Sequence, residues 1–245
     1  MTLSICGKNK RKEGVCNMAT KKENGVLEIV APRWKVIEVG IKGDAPLAMQ
    51  CRPQVVIENL SRKDNGLPAI KYKSSDARKF IDSIHWISDN KPDTLNDNLT
   101  DEELMNEFRE LLKNNEASFG IPTEAFKESI CKGAFRNKAS KDIVSVRGSF
   151  IVMGEYAKLS FSGVQMEKVP TVNKNAKGAM VISVYSKFYD WETKLRIKYN
   201  ENLISAESLV NMINLAGMSV GVLARRTELS FGKYGTFSAT EVTKM

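Results

Sequence analysis

Hydrophobic positions along the chain change period several times, and the changes outline its elements. From Trp34 the stretch WKVIEVGIKG alternates, with Ile37, Val39 and Ile41 on one side, and predicts a first strand over 34–43. DAPLAMQCRP, residues 44–53, carries two prolines and opens an irregular excursion. In SSDARKFIDSIHWI, residues 74–87, a serine or aspartate cap precedes Phe80, Ile81, Ile84 and Ile87 at helical spacing. Thr100 with Glu103 three residues on forms a capping box for a helix carrying Leu104, Phe108, Leu111 and Leu112 above an acidic outer face. GIPTEAFKESICKGAFRNK, residues 120–138, places Pro122 at a first helical turn and repeats Phe126, Ile130 and Ala134 every four residues as a buried stripe.

Beyond that helix, DIVSVRGSFIVMG and AKLSFSGVQM read as a hairpin, with a strand over 144–153, and Asn173 to Gly178 form a loop before a further strand. DWETKLRIKY alternates strictly: Trp191, Leu195, Ile197 and Tyr199 share one parity, and Glu192, Lys194, Arg196 and Lys198 share the other. Ser205 caps a helix over 205–216 with Leu209, Met212, Ile213 and Ala216 on its apolar side, and Gly217 is its expected stop. MSVGVLARR predicts a strand over 218–224, and GTFSATEV a last strand.

Strand 34–43, helix 121–136, strand 144–153, strand 190–199, helix 205–216 and strand 218–224 stand in βαββαβ order. The expected fold class is therefore α+β: a ferredoxin-like core with an antiparallel sheet, a helical acidic insertion at about 54–118 and a β-hairpin insertion at about 157–187. One such domain is expected over 26–245, behind a disordered basic tail at 1–25 in which Met18 is an alternative start.

Composition adds limits. Of 245 residues, 42% are hydrophobic and 27% charged, as in an ordinary globular chain long enough to bury a full core. No window reaches the ~18 apolar residues of a membrane span, and the most apolar stretch, Leu209 to Ala224, carries Asn211 and Asn214 and belongs in a core. MTLSICGKNKRKEGVC lacks the apolar run of a signal peptide, so a cytoplasmic protein is expected, in a host cell's cytoplasm if the chain is viral. Cys6, Cys16, Cys51 and Cys131 with the single His85 give neither a zinc spacing nor a disulfide framework; reduced thiols, no metal and no cofactor are expected.

The formal net charge of +8 is segregated. Residues 1–25 hold six cations against two acids, whereas 85–119 hold nine acids against three cations. A basic body with one acidic insertion favours a polyanionic partner more than a uniform excess does, although a lysine-rich composition alone would give the same total.

Two stretches bear a family likeness. GIPTEAFKESICKGAFR, with Gly120, Ile121 and Pro122 leading into the Lys132, Gly133, Ala134 step, paired with the C-terminal SFGKYGTF loop, resembles the RAMP superfamily, the ferredoxin-like RNA-binding backbone subunits of CRISPR effectors. WETKLRIKYNENLISAESLVNMINLAGMSVGV is similar to a family of uncharacterised bacteriophage proteins. The RAMP resemblance implies a ferredoxin-like fold and RNA binding; the chain departs from the pattern in lacking the fuller glycine-rich C-terminal loop.

The cations expected to meet a strand's phosphates are Lys132, Arg136, Lys138, Lys194, Arg196, Lys198, Arg225, Arg226 and Lys233, with Tyr234 and Phe231 as base-stacking rings. The alternative for Lys132 and Arg136 is a solvated helix end, where each offsets the macrodipole by ~0.3–1 kcal/mol. A catalytic reading rests on His85 as a general acid or base of a RAMP-like endoribonuclease, and no Walker loop, nucleophile elbow or dinucleotide fingerprint accompanies it. The expected function is thus non-enzymatic binding of single-stranded nucleic acid, with side-by-side assembly into a homo-oligomer along it. The alternative is a phage structural, assembly or defence-inhibitor protein that docks on a host or phage protein; no membrane partner is expected.

Overall fold

The computed structural model describes residues 31–71, 74–139, 142–173, 179–229 and 233–244. The predicted tail at 1–25 and Phe231 lie outside them. All the elements belong to the compact unit Pro32–Met245. They are β1 (Trp34–Gly43), β2 (Leu47–Met49), α1 (Gln54–Asp64), α2 (Asp76–Asp82), α3 (Asp101–Lys113), β3 (Gly120–Pro122), α4 (Thr123–Arg136), α5 (Ile143–Ser149), β4 (Phe150–Val152), β5 (Tyr156–Lys158), β6 (Gly163–Asn173), β7 (Ala179–Tyr189), β8 (Glu192–Asn200), α6 (Ala206–Ser219) and β9 (Phe237–Lys244).

Four strands form the central sheet in the order β4-β8-β1-β9, every neighbouring pair antiparallel. With α4 between β1 and β4 and α6 between β8 and β9, this is the ferredoxin-like βαββαβ arrangement. The alternation decides which side is inside. Ile37, Val39 and Ile41 of β1 and Leu195, Ile197 and Tyr199 of β8 are buried, together with Phe150 and Val152 of β4. They share one core with Phe126, Ile130 and Ala134 of α4 and Leu209, Ile213 and Ala216 of α6, each large side chain contributing about 1.5–3 kcal/mol on burial. The helices touch closely, because a Cβ on Gly133 would stand 2.8 Å from that of Ala216. Both helices therefore cover one face of the sheet, and the even-numbered side chains of β8 point away from them.

Several predicted boundaries change. Residues 143–149 are a helix, α5, because Asp142 accepts hydrogen bonds from the Val144 and Ser145 N–H groups and caps it; only Phe150–Val152 remain as strand. Those residues do not pair with 156–158: β4 pairs β8, and β5 pairs β3. The hairpin insertion expected at about 157–187 is formed by β6 with β7, in register from Gly163↔Tyr189 to Asn173↔Ala179. Residues 218–224 are not a strand, since Gly221 and Leu223 adopt left-handed φ of 73° and 61°; the fourth core strand is β9. Gly217 does not end its helix, which runs on to Ser219. In the insertion, α1 is a helix that the two prolines hid, and α2 stops at Asp82, so His85 lies beyond it. The capping box at Thr100 and Glu103 is formed as expected. Arg78, fully buried, pins the loop before α3 by donating to the carbonyls of Thr94, Asn96 and Leu99.

Candidate nucleic-acid interface

The uncovered face of the sheet is built by register. Across β1 and β8, Trp34 stands opposite Asn200, Val36 opposite Lys198, Glu38 opposite Arg196, Gly40 opposite Lys194 and Lys42 opposite Glu192. On the far side of β8, Ile151 pairs Lys198, and the Met153 N–H donates to the Arg196 carbonyl at 2.8 Å. The parity that buries Leu195 and Ile197 therefore exposes Lys194 and Arg196, leaves Lys198 half-buried, and surrounds them with exposed Trp34, Ile151 and Met153.

The cations of this face differ in how far they are neutralised. Lys194 lies 3.7 Å from Glu38 and 3.5 Å from Glu241, and Lys42 lies 3.1 Å from Glu192. Arg196 and Lys198 have no carboxylate oxygen within 4.0 Å among the described residues, and the Lys198 ammonium sits 5.3 Å above the Trp34 ring. Beside Lys194 lies a depression of about 310 Å³, bordered by Gly40, Lys158, Ser160, Thr240 and Glu241.

Lys132 and Arg136 lie elsewhere, on the helical side of the sheet. Lys132 is 2.6 Å from Glu128 and 3.7 Å from Glu228; Arg136 also pairs with Glu228, and Arg226 reaches the same carboxylate at 3.0 Å. The Lys132 hydrogen bond holds the Glu128 carboxyl below the usual carboxylate range. Lys138 is exposed just past the helix, in the left-handed region at φ 58°.

Arg225 and Tyr234 form a third group. The Tyr234 hydroxyl donates to Glu167 at 2.6 Å, and Arg225 donates to the same carboxylate at 3.1 Å while lying 4.4 Å from the Tyr234 ring centre. Burial, reinforced by the bond to Glu167, pushes the Tyr234 hydroxyl's pKa up. With 6% exposure and Lys187 5.4 Å from its ring, Tyr234 packs against the β6–β7 hairpin and presents no open stacking face. Lys233, next to it, is exposed.

Eight of the ten predicted residues therefore fall into three separate groups, and Lys138 and Lys233 stand exposed outside them. Lys194, Arg196 and Lys198 share the sheet face; Lys132, Arg136 and Arg226 share Glu228; Arg225 and Tyr234 share Glu167. Sequence reading missed Trp34, Ile151 and Met153 as neighbours of the first group, although the even parity of Trp34 with Lys42 carried the signal.

His85 is half-buried beside Tyr156, with ring centres 6.2 Å apart, and burial lowers its pKa. Cys51 is half-buried and Cys131 buried, and burial raises both thiols. Among the described residues no three His, Cys, Asp or Glu side chains gather into a metal site, and no helix is long and apolar enough to cross a membrane.

No protein-family model matches the chain, and no curated protein matches it. Among solved structures, it is similar to a chain of the type III-B Cmr-beta complex bound to cognate target RNA, at 9% identity and a TM-score of 0.45 over 86% of this chain. It spans 61% of the length of that chain. It is also similar to Cmr6 from Pyrococcus furiosus, at 12% identity and a TM-score of 0.30, covering 85% of this chain and 99% of the other.

Proposed function

We propose that this protein binds single-stranded nucleic acid, without cleaving it, on the uncovered face of its four-stranded sheet. The observation that carries the reading is the coincidence on one face of two cations lacking a carboxylate partner among the described residues, Arg196 and Lys198, with three exposed apolar side chains, Trp34, Ile151 and Met153. Strands bind single-stranded nucleic acid by phosphate neutralisation combined with stacking, each base stack contributing ~1–3 kcal/mol. Outward side chains two residues apart on β8 are spaced by roughly 6.6 Å, so Lys194, Arg196 and Lys198 make a row that follows a backbone rather than a point. Interactions of this kind position a strand and carry little base information, so weak sequence preference is expected.

The test is fluorescence anisotropy of labelled U10 and dT10 at several salt concentrations. Two to three neutralised phosphates give a log K against log salt slope of about −1.4 to −2 for a single strand. The Arg196→Glu/Lys198→Glu double variant is expected to remove both the binding and the slope in a chain that keeps its folded circular dichroism spectrum, with a modest loss of stability from the carboxylate placed opposite Glu38. Salt-independent binding, or full binding by the double variant, overturns the proposal. Concentration-dependent self-association with no affinity for either oligonucleotide favours the protein-docking alternative.

A further inference from the structure

The group around Glu228 has more positive charge than a structural ion pair needs. Three cations from two segments, Lys132 and Arg136 of α4 and Arg226 of the stretch after α6, converge on one carboxylate whose side chain is only 11% exposed. Glu128 answers one of them from a side chain 53% exposed. Against the cluster lies a cavity of about 130 Å³ whose polar lining is Lys132, Arg226, Ser129 and the Glu128 carboxylate; Arg136 stands outside it, on the far side of Glu228. At ~30 Å³ per water that is room for about four waters, or one phosphate group.

The segment that carries Glu228 is held in an unfavourable backbone. Gly221, Leu223 and Arg225 adopt φ of 73°, 61° and 53°. Left-handed non-glycine residues each cost on the order of 1–3 kcal/mol and persist where surrounding structure imposes them. The neighbouring Thr227 hydroxyl oxygen is buried with no hydrogen-bond partner among the described residues, another local cost. Its strain and its excess of cations both fit a loop whose end is inserted into a site shaped for a different anion.

We propose that Lys132, Arg136 and Arg226 form a second oxyanion site, for a phosphate group, and that Glu228 is an internal plug occupying it. The inference rests on the ligand class of the nucleic-acid reading, a phosphate-bearing strand, and not on the sheet face. A carboxylate and a phosphate oxygen pair accept the same forked guanidinium hydrogen bonds, so the plug and the ligand compete for one set of donors. The cluster is silent while Glu228 is seated and opens when a ligand or neighbouring molecule draws the 223–229 segment away.

The test is Glu228→Gln in the full chain, which keeps the shape and removes the charge. Relief of a like charge against an incoming phosphate is expected to tighten U10 binding about tenfold at low salt, and to steepen the salt slope by ~0.7 for each additional phosphate neutralised. Lys132→Met/Arg136→Met is expected to cancel that tightening while leaving U10 binding unchanged when Glu228 is intact. Inorganic phosphate, followed by thermal shift, separates the sources: protection of Glu228→Gln at millimolar phosphate identifies a site for the free ion as well, and tighter U10 binding without phosphate protection identifies the strand alone. If Glu228→Gln fails to fold, Glu228→Asp, which withdraws the carboxylate by one methylene, is expected to give a smaller tightening in the same direction. Unchanged or weaker U10 binding and no phosphate protection in a folded variant overturn the plug. The sheet-face double variant distinguishes the two failures: the plug stands if the tightening from Glu228→Gln survives in the Arg196→Glu/Lys198→Glu background.

Discussion

Replacing Gly217 with alanine sets two effects of opposite sign against each other. In an open helix the change is favourable by about 1 kcal/mol, because glycine leaves more backbone freedom to be lost on folding. Here a Cβ would stand 1.7 Å from the Phe237 carbonyl oxygen and 2.7 Å from its carbonyl carbon. Carbon and oxygen pack no closer than about 3.3 Å, so α6 and β9 must separate by roughly 1.5 Å. Both clashing partners are held by backbone, which puts the strain at the upper end of the ~1–3 kcal/mol typical of overpacking. The same separation weakens the bond from the Ala239 N–H to the Asn214 side chain, now 2.8 Å, for about 1 kcal/mol more. The expected net loss is ~2–3 kcal/mol, a fall of roughly 5–10 °C in Tm for a chain of this size, read by circular dichroism during heating. A Tm that rises by a few degrees refutes the close approach of α6 to β9 and leaves Gly217 as an ordinary interior helix position.

Two further outcomes follow from side chains around the site. Tyr234→Phe removes a hydrogen bond to the Glu167 carboxylate and is expected to lower stability by ~1–2 kcal/mol in urea unfolding with U10 affinity unchanged; a lost affinity at full stability instead makes Tyr234 a stacking platform. His85 is kept neutral by burial, its pKa lying below its ordinary value near 6.5. As pH falls through 6.5 the unfolded chain takes up a proton that the folded chain refuses, so the stability His85 contributes at neutral pH is lost on acidification. His85→Leu is expected to flatten that part of the stability curve between pH 7 and 5, and neither the native chain nor this variant is expected to cleave labelled U10; time-dependent cleavage that disappears in the variant makes His85 catalytic.

The sequence made some of this legible and hid the rest for definable reasons. Strict alternation over 34–43 and 190–199 and the four-residue stripe of Phe126, Ile130 and Ala134 specify which faces are buried, and those faces build the core. The stretch 218–224 is apolar enough for a strand, but its left-handed residues at Gly221 and Leu223 turn the chain, and a non-glycine residue gives no local sign of such a φ. At 143–149 an aspartate cap overrode the β-branched Ile143, Val144 and Val146. The cation assignments ran out at long range. Glu228 meets Arg136 across 92 residues, and Glu167 meets Arg225 across 58, so the lysines and arginines showed charge without its compensation. Trp34, Ile151 and the β8 cations come together only through register, which alternation fixes within a strand and leaves open between strands.

The sheet-face claim is tested most directly by photo-crosslinking a 4-thiouridine decamer to the native chain and mapping the adducts by mass spectrometry. Adducts are expected on peptides containing Trp34, Ile151 to Met153 and Lys194 to Lys198, and are expected to vanish at high salt. Adducts confined to α4 and the 223–229 segment, or a salt-resistant pattern spread over the whole surface, contradict a strand lying on the uncovered sheet.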